Sequence, residues 1–211
     1  MPLLPSFEAV LTLRHDRLCL DFCNTAGNHA SAEPSEYLKT YADLVAWAER
    51  VALLPAPAAA RLRALAEQHP AAAEAVLGQA VELREAIYRL LLAHAHAGPP
   101  PPADLAALNT ALTQALAHAH LTPAGAGYAL SWDLETSAAL EGLLWPVAYS
   151  AADLLATPEQ LARVGQCQDD RGCGWVFLDL TKNHSRRWCA MEDCGNRAKA
   201  KRHYERKKSA V

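Results

Sequence analysis

Four of the six cysteines fall in two close pairs near the C-terminus, Cys167-x5-Cys173 and Cys189-x4-Cys194, separated by 15 residues. Two local pairs of thiols are the usual way a chain supplies the four ligands of a tetrahedral structural zinc ion. Gly172 and Gly174 flank Cys173, and Gly195 follows Cys194, where the backbone must turn closely around an ion. Four unbound buried cysteines would leave those glycines unexplained. The first spacing is wider than the common x2 to x4, and His184, between the pairs, is an alternative fourth ligand. Zn2+ is the expected cofactor, with Cys167, Cys173, Cys189 and Cys194 as its ligands.

Between the pairs, Trp175–Asp179 and Arg186–Cys189 read as two strands around a TKNHS turn, followed after Gly195 by a helical pattern. Knuckle, hairpin, knuckle and helix in this order make a treble-clef or zinc-ribbon-like module. A segment of about 45 residues cannot normally bury enough surface to fold alone. Structural zinc, worth on the order of 10–16 kcal/mol in small fingers, offsets that shortage.

The charge of the chain is concentrated in the same place. Residues 182–208 hold ten Lys/Arg against three Asp/Glu, whereas the remainder holds ten against twenty. Such a cationic end on an acidic body suits a polyanion, since cations that meet phosphates release counterions. The expected contacts are Arg186, Arg187, Asn196, Arg197, Lys199, Lys201, Arg202, Tyr204 and Arg206. Arginine has the geometry for guanine edges and Asn196 for adenine, while Tyr204 can stack on an unpaired base. The competing reading is internal: a zinc ion with four thiolates carries −2, which Arg186, Arg187 and Arg197 can balance.

The rest of the chain reads as mainly α with a small antiparallel β-sheet. Residues 7–13 and 17–23 alternate as short strands joined by a His15–Arg17 loop, and 128–134 is a strand that can pair with them. Helices are expected from Ser35, as N-cap, to Pro55 and Pro57, then over 58–68, 71–97, 105–119 capped by Asp104, and 137–155, where Pro146 kinks the run or limits its first part. Pro158 opens a last short helix. Gly165 is the expected boundary between a body, 1–164, and the zinc module, 165–211. Four-residue spacing in a strand puts Cys19 and Cys23 about 13 Å apart, too far for one ion, so they read as buried thiols. His94/His96 and His118/His120 do not face each other on helix ends. Asp21, Asn24, Thr25 and Arg84 are polar residues in apolar surroundings. They read either as structural groups or as a pocket for a small-molecule effector walled by Trp47 or Trp132. No basic n-region with an apolar h-region opens the chain and no run of about 18 apolar residues occurs. A cytoplasmic protein without a membrane partner is expected.

The stretch RRWCAMEDCGNRAKAKRHYERK closely resembles the CGNR zinc-finger family, whose name is the run Cys194-Gly195-Asn196-Arg197 here, and GCGWVFLD resembles that family's upstream half. LCLDFCNT at 18–25 and LREAIYRLL at 83–91 resemble the ABATE domain that precedes this finger. Cys23 departs from the pattern, where an aliphatic residue such as valine is expected. The resemblance implies a bacterial transcriptional regulator, in a family sometimes described as RNA-binding. With the cationic end it leads to the expectation of a nucleic-acid binder, DNA ahead of RNA, whose body serves sensing or homodimer formation. A protein-interaction module with a purely structural zinc is the rival reading. No enzyme is expected; an Asn183-His184 pair with His203 is the only hint of a His-metal nuclease, and no carboxylate cluster accompanies it.

Overall fold

The computed structural model describes residues 17–209; the strand expected at 7–13 and His15 lie outside them. The chain is mainly helical with small antiparallel ladders. In order it forms α1 (Leu18–Cys23), β1 (Ala26–Gly27), β2 (Ser35–Glu36), α2 (Tyr41–Arg50), α3 (Ala56–Gln68), α4 (Pro70–Ala95) and α5 (Pro102–Ala117). Then follow β3 (His120–Ala124), β4 (Gly127–Ser131), a 3-10 turn (Leu140–Leu143), α6 (Leu144–Leu155), α7 (Pro158–Leu161), β5 (Val164–Gln166), β6 (Val176–Leu178) and α8 (Asn196–Ser209).

The segment read as a strand at 17–23 is the helix α1. The alternation of Leu18, Leu20 and Phe22 with Cys19, Asp21 and Cys23 misleads because both sets are inside: Cys19 through Cys23 are all buried. A helix with no solvent face has no period to display. On a helix Cys19 and Cys23 are one turn apart, so the distance argument fails. Burial pushes the Cys19 thiol up to about 11 and the Cys23 thiol well above its ordinary value. The neutral thiol, not the metal-binding thiolate, is therefore favoured at both.

Three other boundaries move for local reasons. α2 starts at Thr40 rather than Ser35, because Thr40 and Asp43 form a capping box: Asp43 N–H donates to Thr40 Oγ1 at 3.2 Å and Thr40 N–H to Asp43 Oδ2 at 2.8 Å. Ser35 instead pairs with Gly27 in the β1–β2 ladder. Pro55 and Pro57 open α3 instead of closing α2, as proline suits a first helical turn. α5 begins at Pro102, and Asp104 is not its cap; its carboxylate takes two bonds from Arg89, at 2.9 and 2.6 Å, tying α4 to α5. Pro146 lies in the first turn of α6, where it interrupts no helical bond. β4 pairs with its neighbour β3, His120 opposite Ser131, and residues 18–23, being helical, offer it no strand.

One core joins α1, α2, α3, α4 and α6 through Leu20, Phe22, Leu44, Trp47, Leu62, Ile87, Leu91 and Val147. It extends to Val164, Val176 and Leu178 of the β5–β6 ladder. Alternate residues point the other way: Phe177 of β6, and Trp175 just ahead of the strand, belong to a second cluster with Cys167, Cys189 and Cys194. Strand period places alternate side chains on opposite faces, so β6 is a wall shared by two cores. The hairpin expected from 175–179 and 186–189 is not formed. β6 pairs with β5, and residues 186–189 follow without a ladder of their own. β5 takes one edge of β6, and side chains meet the other: Asn24 bonds both backbone groups of Val176 and Arg186 donates to Leu178 O.

Replacing Thr40 by alanine removes the side-chain half of the capping box. We expect a loss of about 1 kcal/mol, read as a lower urea midpoint at unchanged slope.

Candidate metal centre and the cationic helix

β5 delivers Cys167 to the site, and Cys167 N–H donates to Trp175 O at 2.8 Å, closing the loop that carries Cys173. Gly172 and Gly174 have φ of +83° and +66°, a left-handed conformation that bends the chain on both sides of Cys173. The second pair straddles a tight turn at Met191–Gly195, closed by Gly195 N–H to Ala190 O at 3.0 Å, from which α8 emerges directly.

The four sulfurs lie within 4.8 Å of one another. Cys173 and Cys194 each stand 3.7 Å from Cys189. A tetrahedron with 2.3 Å metal–sulfur arms has edges of about 3.8 Å, so the donor set fits zinc. Thiols this close compete for protons. Hydrogen bonds from Cys173, Cys189 and Cys194 hold the Cys167 thiol low, while bonding to Cys167, Cys173 and Cys189 pushes Cys194 up. A divalent cation at the centre ends the competition by accepting four thiolates. His184 stands apart, exposed in the 181–184 turn at φ +48°. Among the described residues this is the one group of close potential ligands, and it contains no histidine.

The arginines divide between site and solvent. Arg197 Nη2 donates to Cys194 Sγ and to the buried Asp169 carboxylate, both at 2.8 Å. Arg186 donates to the carbonyls of Leu178, Trp188 and Cys189 and lies 4.5 Å from the Phe177 ring centroid. Both are absorbed in holding the metal loops. Asn196 caps locally, its amide donating to Glu192 O at 3.0 Å. Arg187 bonds Gln168 and stands 5.2 Å from the Trp188 ring; Arg202 approaches the same ring at 5.9 Å. Lys199, Lys201, Arg202, Tyr204 and Arg206 are exposed along α8, with Lys201 paired to Asp170.

Of the polar residues of the body, Asn24 reaches the zinc module, while Thr25 and Arg84 bond within the body. Asn24 grips the backbone of Val176, its Nδ2 donating to Val176 O at 2.9 Å and its Oδ1 accepting from Val176 N–H at 3.0 Å. Thr25 donates to Phe22 O. Arg84 forks onto Glu36 at 2.8 and 2.6 Å and also bonds Glu85. Asp21 is buried on α1. A cleft of about 430 Å3 lies elsewhere, between Gln79, Glu82 and Leu83 of α4, Thr110 and Gln114 of α5, and Trp145. Trp47 instead packs on Phe22, and Trp132 donates to Ala115 O. Asp169, His29 and Tyr88 were not found from sequence; their partners are distant in the chain, so spacing carries no sign of them.

A zinc-ribbon-like finger on a helical body defines the class: a structural-zinc protein. The chain belongs to the ABATE family, described as "Putative stress-induced transcription regulator", which it matches over residues 16–158. Residues 163–207 match the CGNR zinc finger. A comparison with curated proteins found no match. No helix among the described residues is long and apolar enough to cross a membrane.

Removing the Arg197 guanidinium leaves a buried carboxylate and a ligand sulfur without their donor. We expect Arg197→Ala to weaken zinc binding about 10–100-fold, with Arg197→Lys between it and the parent because a lysine lacks the planar fork. Competition with a chromogenic chelator measures both. Unchanged zinc affinity in Arg197→Ala would return this residue to the solvent-facing set.

Proposed function

We propose that the protein regulates transcription by binding nucleic acid, duplex DNA ahead of RNA, through α8. The observation that carries this is a cationic helix fastened at its first turn to a metal centre and exposed beyond it. Its 14 residues span about 21 Å, a length suited to a major groove. Among the described residues Lys199, Arg202 and Arg206, with Arg187 from the preceding loop, have no carboxylate within ion-pair distance, and they supply the phosphate contacts. Lys201 joins them by exchanging its exposed partner Asp170 for a phosphate.

RNA is the second reading, supported by Tyr204, which is 72% exposed on α8, and by Trp188 between two arginines. An exposed aromatic on a cationic surface suits unpaired bases. In either case the helical body serves sensing or homodimer formation, the effector being a small molecule, and the protein works in the cytoplasm, where thiolate ligands and the two buried thiols Cys19 and Cys23 stay reduced.

Binding measured at two salt concentrations, with duplex DNA, single strands and a structured RNA, tests the proposal. Five phosphate contacts give an expected fall in duplex affinity of roughly 500-fold between 50 and 200 mM salt. The double variant Lys199→Glu, Arg206→Glu is expected to lose binding at full zinc content. Zinc-loaded protein that binds none of the three at low salt overturns the reading and leaves a protein-interaction module.

A further inference from the structure

The first zinc knuckle does not close on itself. His29 N–H donates to Cys173 O at 2.9 Å and Ala30 N–H donates to Gly172 O at 3.1 Å. Tyr88, on α4, donates its hydroxyl to Gly174 O at 2.9 Å. Asn24 satisfies both backbone groups of Val176, and Trp175 Nε1 donates back to Ala26 O at 2.7 Å. Every carbonyl from Gly172 to Gly174, and the strand that follows, therefore has a partner in the body. One of these carbonyls belongs to a zinc ligand.

The fit is backbone against backbone. A Cβ on Gly172 would stand 2.7 Å from Ser31 Cβ, and one on Gly174 would overlap the Ala30 nitrogen. Those glycines thus do two things: they turn the chain at Cys173 and they admit the 29–31 segment. Beneath that segment, the His29 ring stacks on Tyr88 at 3.6 Å and 11°, and His29 Nε2 meets Glu85 Oε2 at 2.9 Å. Tyr88 also accepts from Gln166, the residue before Cys167, at 2.9 Å. The body's contact surface is itself built and buried.

We propose that the zinc site is completed by the N-terminal domain, with Asn24 and Tyr88 as positioning residues that hold the Cys167–Cys173 knuckle in its ligating shape. Separation of the two would leave the carbonyls of Gly172, Cys173 and Gly174 to water, so that nothing in the chain would hold the turn in its ligating shape and an isolated knuckle would bear the cost of its own ordering. The coupling is reciprocal: whatever the metal gains from an ordered 24–36 segment, that segment gains from the metal. Arg84 and Glu36 lie on this path, since Arg84 also bonds Thr25, at 3.3 Å. The inference rests on zinc binding alone and not on the nucleic-acid reading.

The test uses the full chain loaded with zinc. Tyr88→Phe keeps the stacked ring and removes only the hydroxyl; Asn24→Ala removes both bonds to Val176. Leu62→Ala, a cut in the body core on α3, is the control for general destabilisation. Each buried carbonyl or amide left without a partner is expected to speed zinc transfer to a chelator roughly tenfold, beyond what Leu62→Ala does at equal loss of Tm. Cobalt-substituted Asn24→Ala is expected to shift its ligand-field bands, and hydrogen exchange over 24–36 to rise when the parent protein is stripped of zinc. Should zinc transfer in both variants track Tm along the Leu62→Ala line, with exchange over 24–36 indifferent to zinc, the proposal is overturned.

Discussion

Four thiolates drawn to one divalent cation set the constraint on which the C-terminal quarter depends. The ion fixes the end of β5, the knuckle at Cys173, the Cys189 loop and the start of α8 at a single point. The β5–β6 pair is also held by its apolar side chains, whereas residues 186–189 lack even a ladder. Hydrophobic cover is confined to Trp175, Phe177 and Ala190, with Trp188 and Tyr37 at the edge. Arg186 and Arg197 then act on what the metal has gathered, one threading three carbonyls and the other bridging a ligand sulfur to Asp169.

The division of the cations follows from that arrangement. A dianionic metal–thiolate cluster attracts guanidinium groups before any partner arrives, and the two arginines nearest to it in space are taken. The sequence shows ten basic residues in one run without distinguishing them. Distance from the ions of the site does the sorting: past the first turn of α8 the nearest acids are the exposed Asp170 and Glu205, which hold a charge in high dielectric only weakly.

What could be read from the chain was whatever is local. The two cysteine pairs with their glycines, the long α4 stopped before four prolines, and the polar end all declare themselves over a few residues. α1 could not, because complete burial erases the amphipathic period that separates helix from strand. The partner of β6 could not either, since the downstream segment looked as strand-like as β5, and choice among edges is made by the body core through Val164, Val176 and Leu178. Asn24 stands out in the sequence as a polar side chain among apolar ones. Its role was hidden because its partner lies 152 residues away. Gly174 was noticed too, yet the Ala30 backbone that requires it leaves no mark on the local sequence.

Strand β6 is three residues long, which in most sheets would leave its register loosely determined. Here each face is claimed by a different interior. A slip of one residue would turn Trp175 and Phe177 into the helical core and bring Val176 and Leu178 to the sulfurs, losing both packings at once. The alignment of β5 with β6, and with it the spacing between Cys167 and the rest of the donor set, is thus held by two-sided burial rather than by ladder length. A very short ribbon can in this way serve as a rigid gauge.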